Sequence, residues 1–325
     1  MKLSTISLCK RWCTLALLCA AAQVVAAQPF SFVALGDLPY GQKAQGYAPY
    51  KSLIRSINQE RPSFSIHVGD FKSGSTLCSD EESQVQLGHF GLFDSALVFT
   101  PGDNEWTDCY RANNGGHDPL ERLQALRATF YKPGLSLGKQ PLPVLNQSET
   151  TPAFAKFVEN QRWVHQGVVF ATLHIVGSNN NFEVRDPRAV AEFFEREKAN
   201  IAWIREAFAS AAQTQAKAIV LAMQASVLES KSLWEDFPAH SGFRASIGET
   251  LLPLAAQSKI PVLLIHGDSH VFRFDQPFKL NNKPITQLTR LEVPGAADVR
   301  AVHVTVDTRQ RNPFAVRLLE PAAAP

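Results

Sequence analysis

The chain has 325 residues, of which 45% are hydrophobic, and 32 lysines and arginines stand against 30 acids for a formal net charge of +2. That length and apolar content allow one large domain or two small ones with a substantial core. The basic residues are scattered, which argues against a nucleic-acid patch or any other polyanionic partner.

Lys2, Lys10 and Arg11 precede an apolar run over 15–25, and Val25-Ala26-Ala27 offers a small-residue cleavage site before Gln28. This pattern predicts a secretory signal peptide over 1–27 and an exported, periplasmic or secreted protein. A membrane anchor is the alternative, although the run is short for a bilayer, and no later stretch is apolar for long enough to span one. Cys9, Cys13 and Cys19 fall in the leader, leaving Cys78 and Cys109. An even pair in an exported protein predicts one disulfide, with two unpaired thiols as the alternative.

In chain order, 31–35 reads as a strand, 50–59 as a helix with Leu53, Ile54 and Ile57 on one face, and 63–68 as a second strand. The spacing fits a right-handed βαβ unit. A loop and a polar helix fill 70–93, and a third strand covers 96–100. Residues 119–130 predict a helix with Pro119 in its first turn and Leu120, Leu123, Leu126 and Phe130 facing inward. A Pro- and Gly-rich connection over 133–152 leads to a meander of strands at 154–159, 161–165 and 168–176. The longest helix, 188–212, carries a stripe of Val190, Phe193, Phe194, Ile201, Ile204 and Phe208 expected to be core. Buried strands at 217–223 and 260–266 flank a helix at 248–257, and strands follow at 291–293, 301–307 and 315–319. The expected architecture is an α/β domain over 28–320, two stacked mixed β-sheets flanked by helices, with an Ala-Pro tail at 321–325.

Four apolar runs end in the same way: Leu35-Gly36-Asp37, Val68-Gly69-Asp70, Pro101-Gly102-Asp103 and His266-Gly267-Asp268. If each run is a strand, its aspartate emerges at the C-terminal edge, where open α/β sheets place their sites. Four carboxylates on one edge repel one another unless a cation lies between them.

The order of these turns resembles the calcineurin-like metallophosphoesterases, which run through Asp-x-His, Gly-Asp, Gly-Asn-His-Asp/Glu, a lone His after a strand, and Gly-His-x-His. The matching segments are Gly36-Asp37-Leu38-Pro39-Tyr40, Gly69-Asp70, Gly102-Asp103-Asn104-Glu105, Met223-Gln224-Ala225 and Gly267-Asp268-Ser269-His270. The resemblance implies a four-layer α/β/β/α sandwich and a metal-dependent hydrolase of phosphate mono- or diesters, acting on a small phosphate-ester substrate. It implies Asp37 and His270 on one metal, Asp70 between two, and Asp103, Gln224 and Asp268 on the second. Pro39 departs from the pattern by removing a histidine ligand, and Asn104 replaces the family's acid-donating histidine, so activated esters are the better substrates expected. The oxygen-rich set suits one or two Mg²⁺, Mn²⁺ or Ca²⁺ ions over zinc or iron.

Lys72 and Tyr40, beside the metal turns, are candidate phosphate contacts with Asn104. Glu105 is expected to orient Asn104, His67 and His266 to be structural, and Asn179, Asn180 and Asn181 to form a loop or touch substrate. The competing reading is a binding or scaffold protein that keeps the fold after losing turnover. A carboxylate or amide at each replaced position except Pro39 favours the enzyme.

Overall fold

The computed structural model describes residues 28–41, 43–227 and 240–322, so the expected leader and residues 323–325 of the tail lie outside it. Three strands, β1 (Phe30–Leu35), β2 (Phe64–His67) and β3 (Ala96–Phe99), run parallel and are joined by α1 (Lys43–Glu60) and α2 (Asp80–Phe90). Then come α3 (Pro119–Phe130), β4 (Leu137–Gly138), β5 (Leu145–Asn146), β6 (Gln161–His165), β7 (Val168–Thr172), α4 (Pro187–Gln213) and β8 (Ala218–Ala222). A π-helical turn, Arg244–Leu251, continues into α5 (Leu252–Gln257). The last strands are β9 (Val262–His266), β10 (Arg273–Asp275), β11 (Lys279–Leu280), β12 (Lys283–Pro284), β13 (Leu288–Glu292), β14 (Ala301–Val306) and β15 (Phe314–Leu319).

One six-stranded sheet has the order β15-β14-β1-β2-β3-β4 and a seven-stranded sheet the order β10-β13-β9-β8-β7-β6-β5, with β11 and β12 as a separate hairpin. Both are mixed. Alternation along the strands explains the stacking. In β1, Phe32 and Ala34 face the second sheet while Val33 and Leu35 face the helices; in β9, Leu263 and Ile265 face the first sheet while Val262 and Leu264 face outward. Strands buried on both faces read as continuous apolar runs, the pattern that marked them in the sequence. Phe32, Phe64, Phe170 and Trp163 fill the space between the sheets, with edge-to-face contacts such as Phe32 to Phe170 at 5.5 Å and Phe64 to Phe170 at 5.0 Å. Leu53, Ile54, Ile57, Phe90 and Phe130 cover one outer face, and Trp203, Ile204, Ala207, Leu252 and Ala255 the other. The result is the expected four-layer α/β/β/α sandwich.

Three local expectations are corrected. Residues 154–159 form no strand: Pro152–Phe154 is a 3₁₀ turn, Phe157 N–H donates to Phe154 O at 3.0 Å, and the Asn146 amide takes Val158 O, so the segment closes on itself. The helix expected at 248–257 is helical in the α sense only over α5. Phe194 is 50% exposed and meets the rings of Phe182 and Phe193 edge-on rather than entering the core.

In-register pairing aligns Leu35, His67 and Phe99 across the first sheet, and Ala222 with Ile265 across the second. The segments that follow all leave on one edge. Among the described residues no helix is long and apolar enough to cross a membrane.

Candidate active site

Each acidic turn is built where a parallel strand ends and the chain must reverse. Asp37, Asp70 and Asp268 take left-handed backbone conformations, with φ of 53°, 56° and 78°, and His270 does so at 62°. Such conformations are uncommon outside glycine and cluster at functional sites, where surrounding structure holds them. Asp37 N–H donates to Gly69 O at 3.0 Å, linking the first turn to the second.

The four carboxylates meet between the sheets. Asp37 lies against Gly267 and Gly295, where any Cβ would overlap its side chain, and it accepts from the Asp268 N–H at 3.1 and 3.2 Å. His270 Nε2 stands 3.3 Å from Asp37 Oδ1, and its ring meets the Tyr40 ring edge-on at 5.2 Å. Asp70 Oδ2 accepts from the Tyr40 hydroxyl and the Asn104 amide, both at 2.8 Å, and from Gln224 Nε2 at 3.2 Å; Asp70 Oδ1 accepts from the Asn104 N–H at 3.2 Å. The Asn104 amide also donates to the Tyr40 oxygen at 2.7 Å. Asp103 Oδ1 accepts from Gln224 Nε2 at 3.1 Å and Asp103 Oδ2 from the Ser178 hydroxyl at 2.8 Å. Asp268 Oδ2 accepts from Ser226 N–H at 2.9 Å.

Six of the residues read from the sequence as metal ligands, together with Tyr40 and Asn104, therefore stand in one group. Three residues of the sequence reading, Gln224, Lys72 and Glu105, do not act as expected. Gln224 turns its oxygen to the Gly177 N–H at 2.6 Å, so its NH₂ faces Asp70 and Asp103 and it is a donor there, not an oxygen ligand. Lys72 is buried with its ammonium on the carbonyls of Ser73 (3.3 Å) and Thr76 (2.9 Å), which turns it into its own loop and away from a phosphate-contact role. Glu105, expected beside Asn104, instead clamps the second and third turns by accepting from Phe71 N–H at 2.5 Å and Gly102 N–H at 2.9 Å. His67 and His266 are buried on backbone carbonyls, as expected. Cys78 and Cys109 form the expected disulfide, with Cα atoms 5.8 Å apart, and both sulfurs lie against Asn104 O.

Burial pushes the Asp70 carboxyl well above the usual carboxylate range, and the charges of Asp103, Glu105, Asp37 and Asp268 push it further. Asp37 is raised by burial too, with His270 pulling the other way. Burial of the Lys72 ammonium lowers it. Acids thus outnumber cations in the group, and the Asp37 and Asp70 carboxyls are held toward their neutral form. In donor chemistry it fits a hard divalent cation, with buried carboxylate oxygens and one imidazole, and does not fit a histidine-rich zinc or iron pair. Among the described residues, however, no three His, Cys, Asp or Glu side chains are drawn into a ready ligand group; Tyr40, Asn104 and Gln224 span the carboxylates instead.

Two residues escaped the sequence reading. Ser178 Oγ lies 2.8 Å from both Asp103 Oδ2 and Asp108 Oδ1, and Asp108 in turn pairs with Arg111 at 2.7 Å. Ser178 reaches this place because Ser178, Asn179, Asn180 and Asn181 are all left-handed, with φ from 48° to 58°. Consecutive left-handed residues are costly for L-amino acids and least so for asparagine. The three asparagines hold the turn: Asn179 accepts from Gly242 N–H at 2.8 Å, Asn180 bonds Gly242 O at 2.9 Å, and Asn181 donates to Glu192 at 2.8 Å. The Asn run on a glycine was the visible signal for the turn; nothing local singled out Asp108.

No family model matches the sequence, and no curated protein does. Solved structures match in fold. GAP50, the anchor in the inner membrane complex of Plasmodium, is 14% identical over 91% of this chain and 90% of its own, with a TM-score of 0.50. A dimetal phosphatase from Danio rerio is 9% identical over 90% of this chain and 99% of its own, with a TM-score of 0.53. This chain has the calcineurin-like metallophosphoesterase fold.

Proposed function

We propose that this is an exported phosphoesterase that hydrolyses small phosphate esters with a divalent cation, Mg²⁺, Mn²⁺ or Ca²⁺. The observation that carries this reading is the cluster of four carboxylates at the strand ends, with Asp37, Asp70 and Asp103 buried and Asp37, Asp70 and Asp268 in left-handed turns. Structural strain and perturbed carboxyls together mark functional sites more often than structural ones. Asp37, Asp70, Asp103, Asp268 and His270 would hold the cation, and Gln224 would orient Asp70 and Asp103. When bound, the ion supplies Lewis-acid polarisation of the phosphoryl group and of the attacking water. The Asn104 amide and Tyr40 hydroxyl, 2.7 Å apart, are the neutral donors placed to meet phosphoryl oxygens. Neither provides an acid that titrates near neutrality, since burial raises the Tyr40 phenol far above its ordinary value. Esters with good leaving groups are therefore the preferred substrates.

One observation favours a second reading, a non-hydrolytic binding protein: every carboxylate oxygen of Asp70 and Asp103 already accepts from a protein donor. The experiment that separates the two is metal analysis of the purified protein, with melting and p-nitrophenyl phosphate hydrolysis measured with each cation. The enzyme reading expects bound divalent metal, a melting temperature raised by about 5 °C at saturating cation, and metal-dependent turnover. Asp70→Asn is expected to lower kcat/KM by about a thousandfold, near 4 kcal/mol of transition-state stabilisation. Neither binding nor turnover would leave the second reading.

A further inference from the structure

A cavity of about 520 Å³ opens beside the carboxylate group, with Asp108 and Ser178 in its wall. Those are the residues that join it to Asp103: Ser178 Oγ touches both acids at 2.8 Å. The cavity is of the size that holds a small organic ligand. Tyr110, which is 63% exposed, and Ala189 near the start of α4 also line it. An exposed aromatic on the rim of a cavity is an apolar face available to a flat group.

Charge decides what else the cavity accepts. Its two arginines are both engaged: Arg185 holds Glu183 through two bonds of 2.9 and 3.0 Å, and Arg188 holds Asp118 at 2.6 Å. Asp108 and Asp186 add two further acids to the wall. The lining leans negative and offers no uncommitted guanidinium to a second anionic group. We propose that this cavity seats the alcohol part of the phosphate ester, and that this part is a flat group, uncharged or cationic. The inference rests on the phosphoesterase reading for the position of the phosphate, while the preference for the ring stands on the cavity alone.

Three aryl esters sharing one ring test it: phenyl phosphate, 4-carboxyphenyl phosphate and 4-(trimethylammonio)phenyl phosphate. The carboxylate ester is expected to show kcat/KM at least tenfold below phenyl phosphate, and the trimethylammonio ester to equal or exceed it. Ala189→Trp fills the cavity and is expected to cut the preference for phenyl over methyl phosphate at least tenfold. Tyr110→Ala, at an exposed side chain, is expected to cut it severalfold and keeps the test open if the tryptophan variant does not fold. In parallel, saturation-transfer NMR on the unmodified protein compares binding of phenol, 4-hydroxybenzoate and 4-(trimethylammonio)phenol, which needs no turnover. No hydrolysis of any ester, with the phenols still ranked by charge, would overturn the phosphoesterase reading and uphold the seat. Hydrolysis with the carboxylate ester equal or preferred, or with both variants unchanged in selectivity, would overturn the seat.

Discussion

Two buried charged groups bond to the left-handed turn at 178–181, one through Ser178 and the other through Asn180, and they are built on opposite principles. Around Asp70, acids outnumber cations and the carboxyl is pushed up. Around Glu159 acids and cations are matched: burial alone would raise that carboxyl, but the Arg127 charge and the His174 bond outweigh it and hold it far below its ordinary value. Arg127 engages both Glu159 oxygens, at 3.0 and 2.5 Å, and His174 Nδ1 lies 2.7 Å from one of them. From there the network runs on through neutral and paired groups: Arg196 donates to His174 O at 2.9 Å and to Glu192 at 2.7 Å, and Asn200 to His174 O at 2.8 Å. A balanced network fixes the backbone that carries Ser178; an unbalanced one retains the capacity to bind.

The comparison breaks most visibly at Glu159. Glu159→Gln leaves the Arg127 guanidinium without its counter-ion and is expected to cost about 3 to 5 kcal/mol in urea unfolding at pH 7. A loss under 1 kcal/mol would show that this cluster, too, is not structural. Next in size is the disulfide that ties the second and third acidic turns together. Replacing both Cys78 and Cys109 with serine is expected to cost about 3 to 4 kcal/mol, the loop-closure entropy of a ring of this length, and an unchanged unfolding midpoint would refute it.

The smallest effect sharpens the rule on a single acid. Glu197 is buried on α4 and pushed up to about 7 by that burial, while Ser246 N–H, at 2.7 Å, pulls the other way. Its folded value lies above its unfolded one, so the folded state binds the extra proton and stability falls as pH rises from about 4.5 through 7. Glu197→Gln removes that dependence. It is expected to exceed the parent by up to about 3 kcal/mol at pH 8 and to match it near pH 4.5; urea midpoints at the two pH values read the difference, and equal differences at both would count against it.

Much of this was legible in the sequence because it rests on short-range chemistry. Apolar runs ending in Gly-Asp mark parallel strands that stop at a turn, and they located Asp37, Asp70, Asp103 and Asp268 before any fold was known. Cysteine arithmetic likewise paired Cys78 with Cys109. What escaped was set by distant partners. Whether Gln224 presents oxygen or nitrogen to the site depends on the Gly177 N–H, 47 residues away. Lys72 was placed by adjacency to Asp70, but loop carbonyls compete for its ammonium. Asp108 has no local signature, since its importance comes from a hydroxyl 70 residues further on. The strand misread at 154–159 failed because Asn146 claims a carbonyl that a sheet ladder would have used.

The glycines beside Asp37 have a consequence for the architecture as a whole. Gly267 and Gly295 belong to the second sheet's edge and Asp37 to the first, and Gly177 stands in the same relation to Asp103. The second half of the sandwich omits side chains where the first projects its acids, so the halves are keyed as a lock is to its bolt. The sheets cannot slide past each other without driving an acid into backbone. Methyl groups at these positions would force the layers apart, and they would do so without altering a single charge.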